Sequence, residues 1–291
     1  MTKFKLNLLF PLLCLILSLL FPASCTQGVK NGLSLSVQSA LPALFPSLVF
    51  ASLLTRQKSL FPEKRFLLPF FLSLICGFPV GASAAATLVS EGELSRKDGE
   101  KLLFFCNNAS PAFLISYCGG MIFKDVKKGL ILYLLQCAVS FLCLLFFFGK
   151  PLFRKENPLE KSSADSPKAH LNIPLALREG MNSFLYIMSC IIFFSFLSEL
   201  FRSLFSLKGL SGGMLGVFLE LCGGLEQLKK SGSPLLFPLG AFACGWGGLS
   251  VHLQTAGILQ DRQIGVKCHL AGRVFFAVVL FVLTLFLKKL L

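Results

Sequence analysis

The chain has 291 residues, of which 54% are hydrophobic and only 14% are charged, and its mean hydropathy is +0.74. Soluble domains carry about 25% charged residues, so this composition excludes an ordinary cytosolic enzyme, and the 32 Phe residues exclude a disordered chain. Lys and Arg number 28 against 14 Asp and Glu, which gives a net charge of +14. These cations stand in short loops between apolar segments, where anionic lipid headgroups, and not nucleic acid, are the expected partner.

Seven uncharged stretches of 19 to 30 residues follow one another along the chain. They are 6–29, 31–55, 66–90, 102–123, 129–149, 180–198 and 231–260. A helix that spans a bilayer needs about 20 mostly apolar residues, so we predict an all-α polytopic membrane protein in contact with the lipid bilayer. The eleven cysteines are odd in number, mostly lie in these stretches and form no Cys-x-x-Cys pair. We interpret them as packing residues and expect no metal site.

The first apolar segment has two interpretations. Lys3 and Lys5 precede the run Leu6–Leu20, and Phe21-Pro22-Ala23-Ser24-Cys25 follows it, a pattern that a secretory signal peptide or a poor lipobox also shows. Because at least six more apolar segments follow, we favour an uncleaved transmembrane helix, or signal anchor, over residues 1–30. The two lysines favour a cytoplasmic amino terminus, but Lys and Arg in nearly every loop leave the orientation open.

A hydrophilic stretch, residues 150–179, divides the rest of the chain into two halves, 31–149 and 180–291. Each half contains a long uncharged segment that glycine or proline interrupts, at Cys76–Gly81 in the first half and at Gly245–Gly248 in the second. A broken helix frees backbone groups that must find partners inside the protein or in a wet cavity. Each half is therefore predicted to contain an interrupted or re-entrant helix.

The two interrupted segments also resemble each other in sequence. At a shift of 168 residues, Cys76-Gly77-Phe78 aligns with Cys244-Gly245-Trp246, and Thr87 aligns with Thr255. Coincidence between glycine-rich apolar stretches is the alternative explanation. Paired broken segments in two halves are typical of transporters built from inverted repeats, in which half-helix amino termini face a substrate near the bilayer midplane. We therefore predict two related halves that form an inverted repeat.

Three motifs occur in a fixed order along the chain: Cys76-Gly77-Phe78-Pro79-Val80-Gly81-Ala82, Phe105-Cys106-Asn107-Asn108-Ala109-Ser110-Pro111 and Gly245-Trp246-Gly247-Gly248-Leu249-Ser250-Val251-His252-Leu253-Gln254-Thr255. Together they resemble the YlbJ-type sporulation integral membrane proteins, part of the wider group with a nucleoside-recognition "gate" domain. The resemblance implies a membrane protein of endospore-forming bacteria. Relatives in this family are implicated in moving dipicolinic acid from mother cell to forespore across the outer forespore membrane. Trp246, in place of Phe, and Cys222-Gly223-Gly224, in place of polar residues, depart from the family pattern and bear on substrate identity.

The predicted substrate site combines the breaks with the polar side chains beside them. Adjacent Asn107 and Asn108 are expected to bind a carboxylate or a ring nitrogen; the alternative is an interhelical hydrogen bond, worth about 0.6 kcal/mol. His252 is expected to bind an anion or relay a proton; the alternative is a neutral ring bonded to a backbone carbonyl. The glycines either shape the breaks or allow close helix packing. The predicted substrate-binding residues are Gly77, Phe78, Pro79, Gly81, Asn107, Asn108, Ser110, Gly245, Gly247, Gly248, Ser250, His252 and Gln254.

Glu220 ends a short apolar segment and is the candidate for carrying a coupling proton or Na⁺, unless it lies exposed at the membrane interface. The predicted function is transport of a small anionic metabolite, dipicolinic acid by resemblance, in the cytoplasmic or outer forespore membrane. A nucleoside-type transporter and a non-transporting spore-envelope assembly protein are the alternatives. We expect no cofactor, while a homo-oligomer or a membrane partner stays open. An enzyme is not expected, because Ser83 and His252 would have to form a dyad beside an oxyanion hole.

Overall fold

The computed structural model describes residues 2–57, 59–153, 172–260, 262 and 264–287, and every regular element within these ranges is helical. The predicted all-α fold is therefore confirmed. In chain order the helices are α1 Thr2–Leu20, α2 Pro22–Leu35, the π-helix π1 Ser36–Ala40, α3 Leu41–Thr55, α4 Leu67–Cys76, α5 Val80–Ser90, α6 Arg96–Phe105, the π-helix π2 Ala112–Ile122, α7 Val126–Phe153, α8 Ile173–Leu204, α9 Gly209–Leu219, α10 Leu221–Lys230, α11 Leu236–Trp246, α12 Gly248–Gln260 and α13 Lys267–Leu287.

Five helical segments in the described ranges are long and apolar enough to cross a bilayer. They are Pro22–Thr55, Val126–Leu152, Ile173–Leu204, Leu236–Gln260 and Lys267–Leu287. Their outer faces expose large apolar side chains, among them Phe146, which is 83% exposed. An apolar surface of this extent is stable against lipid tails and not against water. The chain is an integral membrane protein.

The same succession of elements occurs twice. A long helix is followed by two interrupted helices and a second long helix: α2–π1–α3, α4–α5, α6–π2 and α7 in the first half, and α8, α9–α10, α11–α12 and α13 in the second. This order pairs the α4–α5 break with the α9–α10 break, whereas the shift of 168 residues pairs it with the α11–α12 break. The element order and the sequence agreement thus favour different pairings, and the inverted relation of the halves stays a prediction.

The helices extend into both segments that the sequence leaves irregular. Helix α7 continues to Phe153, and α8 begins at Ile173, where the Asn172 side chain accepts the Leu175 N–H at 3.1 Å. Residues 154–171, which make up most of the predicted linker, lie outside the described residues. At the amino end, the single helix expected over residues 1–30 is divided at Phe21 between α1 and α2.

Two of the breaks have a direct local cause. Gly77 ends α4 with φ +85° and Gly247 ends α11 with φ +86°. This left-handed conformation is strained for any residue with a Cβ atom, so glycine at these positions ends the helix at low cost. Gly245, by contrast, lies inside α11, where an added Cβ would stand 2.5 Å from the Ala277 nitrogen of α13. The structure therefore gives Gly245 the packing role that the sequence analysis names as its alternative.

Candidate functional site

A cavity of about 620 Å³ lies where the interrupted helices meet, and we name it the first cavity. Four half-helices begin at it. Gly77 and Phe78 precede α5, Ser110 precedes π2, Glu220 precedes α10, and Ser250 lies in the first turn of α12. The amino ends of four half-helices therefore converge on one cavity, which is the arrangement that the broken segments predict.

The charge at the first cavity comes mainly from the backbone. Helix amino ends carry unpaired N–H groups and a partial positive charge. Two of the four ends have side-chain caps: Ser110 Oγ accepts the Phe113 N–H at 3.2 Å, and the Glu220 carboxylate accepts the N–H groups of Cys222 and Gly223 at 3.1 and 2.7 Å. Among the described residues that line the cavity, Glu220 is the one charged side chain, and it is 3% exposed.

Aromatic and aliphatic side chains form the walls of the first cavity. The rings of Phe78 and Phe113 stand 6.4 Å apart, and those of Phe113 and Tyr117 stand 5.1 Å apart and are stacked. Polar groups are few: the Tyr117 hydroxyl donates to the Cys222 carbonyl at 3.2 Å, and Gln254 Nε2 donates to Ser250 Oγ at 3.1 Å. Apolar walls with a few placed polar groups are typical of sites for small molecules.

The structure brings together only part of the predicted site. Five predicted substrate-binding residues and the coupling candidate line the first cavity: Gly77, Phe78, Ser110, Ser250, Gln254 and Glu220. The other predicted residues lie outside its lining: Pro79, Gly81, Asn107, Asn108, Gly245, Gly247, Gly248 and His252. Direct contact of these eight residues with a substrate stays a prediction that the cavity itself does not support.

Asn108 holds the α6–π2 break in place. Its side chain is fully buried; Nδ2 donates to the Phe105 carbonyl at 2.8 Å and to Ser73 Oγ at 3.2 Å, and Oδ1 accepts from Ser140 Oγ at 3.2 Å. Gln136 of α7 acts in the same way, exchanging two hydrogen bonds with the backbone of Ala109, at 3.1 and 2.9 Å. In this structure Asn108 joins helices, which is the alternative role given to it in the sequence analysis.

Asn107 and His252 belong to a different polar group. Asn107 Nδ2 donates to Thr255 Oγ1 at 3.1 Å and lies 3.5 Å from His269 Nδ1, while His269 Nε2 lies 3.0 Å from His252 Nδ1. Arg273 stands four residues after His269, on the same face of α13, and is 1% exposed. Sequence reasoning missed His269 and Arg273. Their spacing of four residues at the start of the last apolar helix is the signal that could have found them.

A second cavity, of about 530 Å³, is lined mostly by polar side chains, and it includes Ser83. Arg56 pairs with Glu179 at 2.5 Å, Ser52 donates to the same carboxylate at 2.6 Å, and Arg262 donates to Ser90. Because Ser83 faces this cavity while His252 bonds to His269, the structure does not bring together the two residues that a catalytic dyad would need.

The two cavities lie in line along shared helices. On α3, Leu44 lines the first cavity and Leu48 the second, and on α8, Ile187 lines the first and Ser183 the second. Four residues of helix correspond to about 6 Å, so about one helical turn separates the cavities on both helices. Helix α5 continues the pattern, since its residues line the second cavity and the segment just before it lines the first.

Apolar side chains fill the turn between the cavities. Leu48, Val80, Phe184 and Ile187 belong to one cluster of buried residues and are between 1% and 7% exposed. We name these four residues the apolar layer. A polar solute cannot pass such a layer without its rearrangement, because unpaired polar groups are unstable among hydrocarbon side chains.

Comparison with known proteins finds a relative of this chain. It is 24% identical to the "Sporulation integral membrane protein YlbJ" of Bacillus subtilis (strain 168), over 92% of this chain and 78% of that protein. No family model and no solved structure matches. The similarity supports the resemblance carried by the three motifs and a role as a sporulation-type membrane protein. The gate domain and dipicolinic acid stay predictions.

Proposed function

We propose that the chain transports a small planar carboxylate through the membrane, and that dipicolinic acid, which the sequence resemblance suggests, is the substrate. The two cavities in line along α3, α5 and α8, separated by one turn of apolar side chains, carry the proposal. Such a path has a use in a transporter that opens to each side in turn. A protein that only assembles the spore envelope needs no cavity of this kind.

The first cavity suits a planar acid by its walls and by its helix ends. The rings of Phe78 and Phe113 offer apolar faces to an aromatic ring. A carboxylate at the amino end of α5, which no side chain caps, is stabilised by about 0.3–1 kcal/mol or more in a partly buried geometry. In this proposal the ring of the substrate lies between the apolar walls and its carboxylate faces the α5 amino end.

Glu220 provides a way to couple transport to protons. Its carboxylate occupies the amino end of α10, and a second anion in the same apolar cavity repels it. The groups that face Glu220 are the Tyr117 hydroxyl and the Glu226 carboxylate, and no Lys or Arg among the described residues pairs with it. A proton on Glu220 removes the repulsion and releases the N–H groups of Cys222 and Gly223 for the substrate. We therefore propose that one proton accompanies each substrate.

Uptake of radiolabelled dipicolinate into proteoliposomes that contain the full chain tests the proposal, with uridine as the nucleoside control. Ala43 lines the first cavity and is exposed, so Ala43→Trp is expected to fill the cavity and lower uptake by about tenfold or more. Ala271→Trp, at an exposed position of α13 that does not line the cavity, is the matched control and is expected to keep uptake.

The outcomes separate the candidate functions. Uptake of uridine alone would keep the transporter and replace the substrate. Dipicolinate uptake that Ala43→Trp leaves unchanged would contradict the assignment of the cavity. If neither compound moves under a proton, sodium or voltage gradient, the envelope-assembly function is the better explanation.

A further inference from the structure

Arg273 is a buried cation without an acidic partner. It lies inside the membrane-spanning helix α13 and is 1% exposed, and its Nε and Nη2 atoms are buried with no hydrogen-bond partner among the described residues. Its defined contact is with the Phe276 ring, whose centroid lies 4.7 Å from the guanidinium carbon. The ionisable groups that interact with it are the thiols of Cys106 and Cys143 and the rings of His252 and His269. None of these groups is a carboxylate.

An unpaired guanidinium in this position is unfavourable. Arginine keeps its charge in proteins, and buried charges are found paired because an isolated one is strongly destabilised in a medium of low dielectric constant. A desolvated cation–π contact contributes about 2 kcal/mol, which is far less than the loss of hydration. A negative charge from outside the described chain would resolve the imbalance.

The hydrogen-bond directions around Arg273 also favour an anion. Asn107 Nδ2 is a donor toward His269 Nδ1, so a neutral His269 carries its proton on Nε2 and donates to His252 Nδ1 at 3.0 Å. A neutral His252 then carries its proton on Nε2, an atom that is buried without a partner. The unpaired atoms of the group are thus three donors, two from Arg273 and one from His252, and one acceptor, Asn107 Oδ1.

We propose that Arg273 binds a small anion, a halide or a carboxylate group, inside the helix bundle at a site separate from the first cavity. The anion accepts from Arg273 Nε and Nη2, and the polar chain Asn107–His269–His252 lies beside it. Because Asn107 stands in the α6–π2 break and His252 follows the α11–α12 break, the bound anion links two interrupted helices to α13. The site does not depend on the proposed transport function.

Thermal unfolding of the purified full chain in detergent tests the site, in sodium gluconate buffer titrated with sodium chloride, sodium bromide or sodium dipicolinate. A ligand that binds the folded state raises Tm in a saturable way, so we expect at least one of these anions to do so. Arg273→Gln is expected to remove the rise, and Arg273→Lys to weaken it, since lysine keeps the charge without the fork of donors. Arg262→Gln is the matched control, because Arg262 is exposed at the end of α12, and it is expected to keep the full rise.

A second measurement needs no variant. Broadening of the chloride NMR line by the wild-type chain reports bound chloride, and competition then identifies the occupant. Reversal of the broadening by bromide alone supports an inorganic halide, and reversal by dipicolinate as well supports a carboxylate group. Neither line broadening nor a Tm rise with any of the three anions would overturn the proposal, as would an equal loss of the rise in Arg262→Gln. Such a failure leaves the transport proposal intact, because Arg273 does not line the first cavity.

Discussion

Replacement of Glu220 by glutamine is expected to abolish proton-driven uptake and to preserve the exchange of external for internal substrate. The amide is neutral at every pH, so it imitates the protonated acid and removes the repulsion between Glu220 and a bound carboxylate. In the wild-type chain, substrate affinity should fall as the pH rises and Glu220 loses its proton. In Glu220→Gln, affinity should stay at the level that the wild-type chain reaches at low pH.

The measurement is substrate binding and uptake across a pH series, with and without a proton gradient. Glu226→Gln is the matched control, because Glu226 lies on the same helix α10 but does not line the first cavity. This control should keep both the coupling and the pH dependence. A Glu220→Gln variant that still concentrates substrate in response to a proton gradient would show that another group carries the proton.

Replacement of Phe184 by alanine is expected to turn the transporter into a leak. Phe184 is 3% exposed and is the largest side chain of the apolar layer between the cavities. Its truncation joins the second cavity to the first without the rearrangement that normally opens the layer. Preloaded substrate should then leave proteoliposomes without a gradient, several times faster than from vesicles with the wild-type chain.

Phe194→Ala separates a leak from simple loss of stability. Phe194 is a buried phenylalanine of the same helix, 8% exposed, and belongs to a different cluster with Leu197 and Leu219. Loss of a buried Phe costs about 3–5 kcal/mol in either variant, so both should lower Tm to a similar extent. Equal efflux from the two variants would contradict the role of Phe184 in the layer.

The sequence predicts the broken helices well, because their cause is local. Gly77 and Gly247 end helices through a backbone conformation that glycine adopts readily, and the surrounding uncharged segments are long enough to show where a helix must be interrupted. The long spanning helices follow in the same way from the length of apolar sequence alone. The pairing of the halves is not local, and agreement of a few glycines and cysteines at one shift does not follow the order of elements.

The candidate site is predicted less completely, since it depends on which helices cross. Ser110, Ser250 and Gln254 stand next to breaks and do line the first cavity. Asn108 stands equally close to a break, yet its bonds go to Ser73 and Ser140 on other helices. Neither this difference nor the burial of Arg273 follows from hydropathy, which counts residues along one helix and not the neighbours that its faces meet. The second cavity is missed for the same reason.

The central claim is that the two cavities open to opposite sides of the membrane, and sided cysteine labelling tests it most directly. Thr87 lines the second cavity, and Ser116 lines the first and is exposed. The variants Thr87→Cys and Ser116→Cys would be treated with a membrane-impermeant thiol reagent from each face of oriented vesicles, with the wild-type chain as the control for its eleven native cysteines. The account predicts labelling above this control from one face for Thr87→Cys and from the opposite face for Ser116→Cys. Labelling of both variants from the same face, or of neither from any face, would contradict a path through the bundle.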